Sequence, residues 1–207
     1  MRDPDSRERL IELLIAEGWL KTPAIISAFR SVNRELFVPK DMRALAWSDQ
    51  PLPIGHSQTI SAPHMVAIMT ELLQPKKSDI VLEIGAGSGY QAAILSKLVK
   101  RVITIELEPS LVTLAKKNLS SAGCKNVKII QGDGSKGWPK EAPYDKIIVT
   151  CGCPEIPSTL VEQLKEGGRI VIPVGSTDYQ VLTVGIKKKG KLEVSQHGGC
   201  IFVPLRH

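Results

Sequence analysis

A glycine-rich loop stands between a short apolar run and a helical pattern, and this arrangement restricts the possible folds more than any other feature. The run over residues 80–84 has the length and composition of a buried strand. In the loop, Gly85 and Gly87 allow a tight turn and a close approach of a ligand to the backbone. The N-terminus of the helix that follows favours an anionic group. This order of strand, glycine loop and helix predicts an α/β domain. The loop alone does not identify the cofactor, because several nucleotide cofactors use such a loop.

Strands and helices alternate along the chain from residue 64 onward. Apolar runs predict strands at 80–84, 102–105, 127–130, 146–149 and 169–174. Helical stripes separate them over 91–99, over 109–122, and through Leu160, Val161 and Leu164 to Gly167-Gly168. After Gln180, two or three strands follow without a helical pattern, so we expect them to pair antiparallel. The pattern predicts an α/β, doubly wound, mostly parallel sheet with a helical N-terminal attachment.

The first 60 residues or so show helices and loops instead of this alternation. Asp5 and Glu8 stand at capping-box spacing before an apolar stripe, and Thr22 followed by Pro23 is a typical helix start. Residues 51–63 are loop-like, and Ser61 is the expected N-cap of the helix that follows. We therefore expect residues 1–62 to form N-terminal helices and a substrate loop, packed on a main domain of residues 63–207.

Composition and charge argue against several other classes of protein. The 207 residues contain no apolar stretch of the ~18 residues that a membrane-spanning helix needs. The N-terminus is too acidic and polar for a signal peptide, so we expect a cytoplasmic protein. The net charge is +6, but the densest basic run, 187–189 together with Lys191 around Gly190, is typical of a solvated hairpin tip and lacks interleaved aromatic residues. We therefore expect no nucleic-acid partner.

The cysteines do not have the spacing of a metal site or of a C-x-x-C redox pair. They are Cys124, Cys151, Cys153 and Cys200, and the central two form a C-x-C pair that could be bridged only with strain. We expect all of them to be reduced, small, semi-buried residues, and we expect no bound metal.

Three acidic residues accompany three successive predicted strands. Glu83 lies near the end of the first, Glu106 ends the second, and Asp133 follows the third. Since the carboxyl ends of parallel strands form the ligand crevice of such sheets, we expect these carboxylates to meet near the glycine loop. There Glu106 can accept both hydroxyls of a ribose, a role that serves NAD equally well, and Asp133 can accept from the exocyclic amine of an adenine.

The acidic set favours S-adenosyl-L-methionine over a dinucleotide. Tyr90 stands where a G-x-G-x-x-G fingerprint requires its third glycine. Three carboxylates would repel a pyrophosphate but attract the sulfonium and ammonium groups of S-adenosylmethionine. We predict that this cofactor, with S-adenosyl-L-homocysteine as its product, is bound by Glu83, Gly85, Gly87, Gly89, Glu106, Leu107, Asp133 and Gly134.

Two further segments carry a resemblance to a known family. A polar, uncharged segment, Gln58-Thr59-Ile60-Ser61-Ala62-Pro63-His64-Met65, precedes the first predicted helix of the main domain, and Phe202-Val203-Pro204-Leu205 stands near the other end. Together with the segments 82–91 and 132–134, they resemble the protein-L-isoaspartate O-methyltransferase family over nearly the whole chain. Many methyltransferases share the glycine loop, whereas the Thr59-Ile60-Ser61 segment and the 202–205 segment are more specific to this family.

The resemblance implies a seven-stranded Rossmann-like methyltransferase sheet. It also implies an enzyme that methylates the free α-carboxylate of L-isoaspartyl residues in damaged proteins and peptides, which initiates repair through a succinimide. Ser61 matches the catalytic residue, and Glu83, Glu106 and Asp133 are implied to contact the cofactor. The implied substrate site contains Thr59, Ile60, Ser61, His64 and Val203. Cys151-Gly152-Cys153 departs from the small, often Ala-rich stretch of the family. We also expect a monomer, since an enzyme that repairs many flexible segments needs an open binding site.

The chemistry of this reaction fits the residues present. An α-carboxylate with a pKa near 3.5 is already an anionic nucleophile at neutral pH, so no general base is required. The sequence offers no obvious His-carboxylate pair for that role. We interpret His64, at the start of a helix, as a packing or hydrogen-bonding residue.

Other functions remain open from the sequence. A methyltransferase that acts on RNA or a small molecule has the same glycine loop, although the segment 150–154, Thr-Cys-Gly-Cys-Pro, differs from the Asn/Asp-Pro-Pro-Tyr type of adenine and cytosine methyltransferases. A non-catalytic adenine-nucleotide-binding or protein-binding module is a further alternative, disfavoured by the joint presence of Ser61 and the three acidic residues. Tyr90 disfavours an NAD-dependent dehydrogenase.

Overall fold

The strands of the main sheet lie where their apolar runs predict them. The structure is a computed structural model that describes residues 6–207. Its strands are β1 (Leu52–Gly55), β2 (Gln58–Ile60), β3 (Ile80–Ile84), β4 (Arg101–Glu106), β5 (Val127–Gln131), β6 (Tyr144–Val149), β7 (Leu164–Gly175), β8 (Gln180–Lys188) and β9 (Lys191–Cys200). Its α-helices are α1 (Ser6–Ala16), α2 (Pro23–Ser31), α3 (Pro63–Leu73), α4 (Tyr90–Ser96), α5 (Pro109–Ser121) and α6 (Ser158–Glu162). Short 3₁₀ helices cover Arg34–Phe37, Lys40–Leu45, Gly134–Lys136 and Pro139–Glu141.

The order of the strands places a switch point in the middle of the sheet. Within residues 6–207, seven strands form the main sheet in the order β5-β4-β3-β6-β7-β8-β9. Strands β3 to β7 run parallel. The chain enters at β3, moves outward to β5, and returns to β6 on the other side of β3. The predicted mostly parallel α/β fold is confirmed, and a ligand crevice is expected at the carboxyl ends of β3 and β6.

The strands after residue 180 pair antiparallel, as predicted. β7, β8 and β9 form a meander at one edge of the sheet. Lys189 and Gly190 join β8 to β9 with φ angles of +52° and +77°, the pair of positive values found in type I′ hairpins. The basic run is therefore at a hairpin tip, but Lys187 has a structural role there. Its Nζ donates to the carbonyl oxygens of Val161 and Leu164, both at 2.8 Å, at the end of α6.

The predicted helix through Leu164 to Gly167-Gly168 is wrong in its second half. α6 ends at Glu162, and Leu164 already belongs to β7. Leu164 is the partner of Tyr144 in the parallel pair β6–β7, and an irregularity follows this pair. Pairing with β6 thus replaces the last helical turn, and the pattern did not reveal this because a buried leucine fits the apolar pattern of a helix or of a strand.

α4 is also shorter than predicted, since it ends at Ser96 instead of residue 99. The side-chain amide of Asn126, which directly precedes β5, donates to the carbonyl oxygens of Ser96 and Val99 at 3.0 and 3.1 Å. These are carbonyls that a helix end leaves without an intrahelical partner. A residue about 30 positions away therefore caps this helix, which a local pattern cannot reveal.

Part of the predicted loop over 51–63 is a two-stranded hairpin, β1–β2. Leu52 and Ile54 are buried and alternate with exposed residues, and Ile60 is buried on β2. The turn of the hairpin holds His56 and Ser57 at φ angles of +53° and +56°, again the two positive values of a type I′ turn. Because of its prolines and polar residues this segment was interpreted as a loop, so the two short strands were not predicted.

The N-terminal helices share a core with the main sheet. Leu14 of α1, Phe29 of α2 and Phe37 belong to the same buried cluster as Val81 of β3 and Ile94 of α4. Of the predicted capping box, Asp5 lies outside the described residues, and the Glu8 carboxylate accepts from Arg30 Nε of α2 at 2.9 Å. Between residues 6 and 207, no helix has both the length and the apolar content to cross a membrane.

Candidate functional site

A crevice opens at the carboxyl ends of β3, β4 and β6, at the predicted switch point. We call it the glycine-loop crevice. Four segments that are distant in the sequence meet there: residues 58–61, 84–91, 105–107 and 203–206. Gly134, Thr150 and Cys151 complete its lining together with two residues of α3, Val66 and Met69. The predicted glycine loop, substrate loop and C-terminal segment therefore share one cavity.

The glycine loop adopts a conformation that requires glycine at several positions. Gly85, Gly87 and Gly89 have φ angles of +93°, +53° and +92°, values that strain other residues. A Cβ at Gly85 would lie 2.6 Å from Thr150 Oγ1, which donates to the Gly85 carbonyl oxygen at 2.7 Å. Thr150, at the end of β6, therefore packs directly against the loop. It is a site residue that the sequence prediction missed.

Glu106 supports the same loop from β4. One carboxylate oxygen accepts from the Gly87 N–H at 2.8 Å, and the other accepts from the Glu108 N–H at 3.0 Å. Glu106 and Leu107 both line the crevice. Because each carboxylate oxygen has two lone pairs, Glu106 can hold the loop and still accept hydrogen bonds from a ligand.

Glu83 is buried beneath the loop and is not among the residues that line the crevice. Both of its carboxylate oxygens lack a hydrogen-bond partner within residues 6–207. Burial raises the pKa of Glu83 to about 8, an effect that the nearby Thr104 hydroxyl reduces and the charge of Glu106 increases. Glu83 is therefore mostly protonated at neutral pH, and the expected cluster of three negative charges is reduced by one.

Asp133 stands at the carboxyl end of β5, and its side chain caps the short helix that follows. Oδ1 accepts from the backbone N–H of Ser135 at 3.0 Å and from its hydroxyl at 2.7 Å, and Lys136 Nζ lies 3.3 Å from Oδ2. Partial burial alone would raise the pKa of Asp133, but hydrogen bonds from Ser135, Lys136 and His207 hold it at about 2. Asp133 lies beside the crevice, whereas its neighbour Gly134 lines it, packed against Ile84 without room for a Cβ.

The predicted substrate loop is held by a buried arginine. Thr59, Ile60 and Ser61 line the crevice, and Arg34 donates from Nη2 to the Ser61 carbonyl oxygen at 2.8 Å. Arg34 has no exposed surface, and its guanidinium lies 4.8 Å from the centre of the Tyr90 ring. Burial lowers the pKa of Arg34, while Tyr90 and the charge of Asp49 oppose this effect. The sequence around Arg34, which has Asn33 and Glu35 as neighbours, gives no signal for this role.

The prediction of Ser61 as a helix cap is wrong. α3 begins at Pro63 with Ala62 as its N-cap and no capping side chain of its own. Asp49, from a distant loop, accepts from the His64 N–H at 2.8 Å and from His64 Nδ1 at 2.9 Å. The ring of His64 also lies 5.0 Å from that of Trp19. His64 therefore packs and forms hydrogen bonds, and Asp49 is a supporting residue that the sequence prediction missed.

The C-terminal segment crosses the carboxyl edge of the sheet beside the 151–153 segment. The Gly152 N–H donates to the Val203 carbonyl oxygen, and the Leu205 N–H donates to the Gly152 carbonyl oxygen, both at 2.8 Å. A side chain at Gly152 would press on Gln180, since its Cβ would lie 3.0 Å from that amide. Glycine at position 152 therefore leaves room for the Gln180 side chain, and Arg206 of the C-terminal segment also lines the crevice.

A second cavity of about 510 Å³, which we call the side groove, opens beside the crevice. Thr59, Ser61, Thr150 and Val203 line both cavities. His64 faces only the side groove. The predicted residues thus divide: Glu83, Gly89 and Asp133 support or flank the glycine-loop crevice, His64 belongs to the groove, and the remaining ones line the crevice.

Known proteins resemble this chain over nearly its whole length. The sequence model of the family described as Protein-L-isoaspartate(D-aspartate) O-methyltransferase (PCMT) matches residues 5–207. The protein-L-isoaspartate O-methyltransferase of Methanopyrus kandleri is 52% identical over 205 residues, which cover 97% of this chain and 91% of the relative. That of Pyrococcus abyssi is 51% identical over 201 residues, which cover 96% and 93%. A Plasmodium falciparum structure described as a protein-L-isoaspartate O-methyltransferase with S-adenosyl-L-homocysteine has a TM-score of 0.85 at 26% identity, covering 97% of this chain and 98% of that one.

Proposed function

The chain belongs to the protein-L-isoaspartate(D-aspartate) O-methyltransferase family, and we propose that it methylates the free α-carboxylate of L-isoaspartyl residues in damaged proteins and peptides. The methyl donor is S-adenosyl-L-methionine, and the product is S-adenosyl-L-homocysteine. One observation carries the proposal. The glycine loop, the Thr59-Ile60-Ser61 segment and residues 203–206, which are far apart in the sequence, line a single crevice.

The residues of the crevice fit S-adenosylmethionine. Gly85, Gly87 and Gly134 leave backbone surface open where any Cβ would strain the chain or overlap a neighbour. Glu106 supplies a carboxylate with spare acceptor capacity, and Leu107 supplies an apolar wall. We propose that these residues hold the cofactor, with Asp133 beside them as an acceptor for the adenine amine. Gly89 allows the loop its conformation through a φ of +92°, and Glu83 is buried in β3 directly before the loop.

The chemistry requires positioning rather than proton transfer. When bound, the cofactor supplies a methyl group on a positively charged sulfur. The α-carboxylate of an isoaspartyl residue has a pKa near 3.5, so it is already a nucleophile at neutral pH. The Ser61 hydroxyl and the N–H groups of its loop are proposed to orient this carboxylate, with Thr59, Ile60, His64 and Val203 around the substrate. Orientation of reactants can contribute about 7–11 kcal/mol to catalysis.

The support of Ser61 and His64 agrees with this role. Arg34 holds the Ser61 carbonyl oxygen, so the loop has a fixed position relative to Tyr90 and the glycine loop. His64 Nδ1 is held by Asp49 at 2.9 Å, a His-carboxylate pair that the sequence did not reveal. Because the α-carboxylate is already ionised at neutral pH and needs no general base, we assign this pair to holding the imidazole in place. The Arg34 guanidinium is directed to a backbone carbonyl, so its hydrogen bond does not compete for the substrate carboxylate.

The steps after methyl transfer need no group of the protein. The nitrogen of the next amide attacks the methyl ester, a C–N bond forms, and methanol leaves. The succinimide that results hydrolyses to a mixture of aspartyl and isoaspartyl residues. Repeated rounds of methylation therefore convert the damaged residue to aspartate.

We further infer a monomeric, cytoplasmic enzyme without a metal. Cys124, Cys151, Cys153 and Cys200 are free thiols, in keeping with a reducing compartment. The side groove is open to solvent at exposed residues of β9 and beyond, which suits a protein substrate. Sedimentation of the purified protein tests the oligomeric state, and a dimer that buries the 58–61 segment would contradict the proposal.

Methyl transfer from radiolabelled S-adenosylmethionine to two matched peptides tests the function. One peptide contains L-isoaspartate and the other contains L-aspartate at the same position. We expect base-labile label on the isoaspartyl peptide alone. If cofactor binds but neither peptide is labelled, the fold and cofactor assignments remain and the proposed substrate is wrong.

A further inference from the structure

Two exposed apolar side chains stand at one wall of the side groove. Tyr179 has 58% of its surface exposed and Ile201 has 75%, the two highest exposed fractions among the large apolar residues of the described range 6–207. Both line the groove, close to Gly199 of β9. Surfaces of this kind cost free energy in water unless a partner covers them. We call these two side chains and Gly199 the apolar shelf.

The shelf has a rigid support. Gln180 is 99% buried, since its exposed fraction is 1%, and its side chain ties three segments together. Its amide nitrogen donates to the carbonyl oxygens of Ser176 and Thr177, and its Oε1 accepts from the Phe202 N–H at 2.7 Å. The turn that carries Tyr179 is thereby fixed to the segment that carries Ile201. An exposed aromatic ring on such a support loses little entropy when it binds a ligand.

The Tyr179 ring packs closely against Gly199. A Cβ at Gly199 would lie 2.8 Å from Cε2 and from Oη of Tyr179. Gly199 does not have a positive φ, so glycine is not required there by the backbone. The close approach of the ring explains the need for glycine at this position. β9 also contains an irregularity between its pairings with Val181 and Thr183, near Gly198 at φ +105°, and bulges of this kind redirect a strand beside a site.

We propose that the apolar shelf binds an apolar side chain of the substrate, on a residue that flanks the isoaspartyl residue. This inference rests on the proposed function. The shelf and Ser61 line the same groove, so a chain whose α-carboxylate is at Ser61 can extend along that groove to the shelf. None of the described residues that line the groove carries a carboxylate, ammonium or guanidinium group. The groove therefore selects apolar contact rather than charge pairing.

Kinetics with matched isoaspartyl peptides test the shelf. The peptides carry Leu or Ser on the N-terminal side of the isoaspartate, and a second set carries the same pair on the C-terminal side. In at least one set, the wild type is expected to show a KM roughly tenfold lower for the Leu peptide, the factor that corresponds to ~1.4 kcal/mol. Tyr179→Ala and Ile201→Ser remove this difference by raising KM for the Leu peptide, with kcat unchanged, as expected for contacts equal in ground and transition states.

Three controls make the result specific. Tyr179→Phe keeps the ring and is expected to keep the preference. Val194→Ser removes another exposed apolar side chain of β9, 54% exposed but outside the groove, and is expected to change neither KM. Calorimetric binding of S-adenosylmethionine confirms that each variant is folded.

Three outcomes would overturn the inference. Equal KM values for the Leu and Ser peptides in the wild type exclude the shelf as a specificity site, even while isoaspartyl methylation persists. A dimer in sedimentation that Tyr179→Ala converts to a monomer means that a second copy covers the shelf. Absence of methylation of every isoaspartyl peptide by the wild type overturns the proposed function itself and this inference with it.

Discussion

The guanidinium of Arg34 donates a hydrogen bond of 2.8 Å to the carbonyl oxygen of Ser61, which lies 27 residues later in the chain. The same guanidinium stacks 4.8 Å from the ring of Tyr90, the first residue of α4 after the glycine loop. One fully buried side chain thus joins the proposed substrate loop to the proposed cofactor loop. We expect the distance between the two reactants to depend on this connection.

Replacement of Arg34 should therefore reduce catalysis more than it reduces cofactor binding. Arg34→Met keeps much of the buried volume but leaves the Ser61 carbonyl oxygen without its donor. We expect kcat/KM for an isoaspartyl peptide to fall ~100-fold, since a displacement of ~1 Å has an effect of that size. Arg30→Met is the matched control, because Arg30 is half-exposed and pairs with Glu8 away from the site. A similar loss in both variants would contradict the role of Arg34.

Alanine variants of Asp133 and Asp145 form a matched pair that tests the proposed cofactor site. Asp133 lies at the carboxyl end of β5, whereas Asp145 is near the start of β6, where it accepts from the Ile80 N–H at 2.8 Å and from Lys165 at 2.7 Å. Asp133→Ala should weaken S-adenosylmethionine binding about tenfold, the effect of one lost hydrogen bond to a charged group. Asp145→Ala should lower stability and leave affinity unchanged. Calorimetry that gives equal effects would place the adenine elsewhere.

Gly85→Ala should lower the free energy of unfolding by more than the strain of a positive φ alone would. Gly85 has φ +93° and Gly123 has φ +66°, and alanine at a positive φ costs roughly 1–2 kcal/mol at either position. At Gly85 the new Cβ also meets Thr150 Oγ1 at 2.6 Å, whereas no described atom lies within 4 Å of a Cβ at Gly123. We expect thermal unfolding to show the larger loss for Gly85→Ala, together with impaired cofactor binding. Equal losses would mean that the loop accommodates the methyl group.

The protonation of Glu83 should make stability depend on pH. Its pKa is about 8 in the folded protein and 4.5 as an ordinary value, so the folded state binds an extra proton between these values. The contribution of Glu83 to the free energy of unfolding therefore falls as the pH rises from 4.5 to 8. Glu83→Gln removes the effect, so the variant should gain stability relative to the wild type at pH 9 but not at pH 4. The gain is on the order of 3–5 kcal/mol, at ~1.4 kcal/mol per pKa unit.

Urea unfolding of wild type and Glu83→Gln at pH 4, 6 and 9 measures this difference. Parallel pH dependences of the two proteins would show that Glu83 keeps its charge in the folded state. Glu162→Gln, at the end of the surface helix α6, is a suitable control for the loss of one carboxylate, since its side chain is exposed.

Much of the fold was predictable because strand and helix periodicities are local. The apolar runs over 80–84 and 127–130 became β3 and β5, and the stripe over 109–122 became α5. The family resemblance was likewise readable from short segments, and the comparisons confirm it. The hairpin β1–β2 and the start of β7 at Leu164 escaped prediction, since short strands depend on pairing partners elsewhere in the chain.

The supports of the site escaped prediction for the same reason. Thr150, Asp49 and Arg34 contact the site from three different elements, and none has a local pattern that marks it. Ser61 is a residue type typical of helix N-caps, yet it is Asp49 that accepts a hydrogen bond from a backbone N–H of the first turn of α3, through a long-range contact. Glu83 was expected to contact the cofactor, but the structure buries it outside the crevice lining, and the sequence could not reveal that this burial raises its pKa.

The sequence by itself determined the alternation of strands and helices, the glycine loop, and the family through its specific segments. Only the tertiary structure decided that the 58–61 segment, the glycine loop and the 203–206 segment share one crevice, and that an apolar shelf stands beside it. The physical reason is that periodicity and turn chemistry act over a few residues, whereas burial, long-range hydrogen bonds and cavity shape arise only when distant segments pack together.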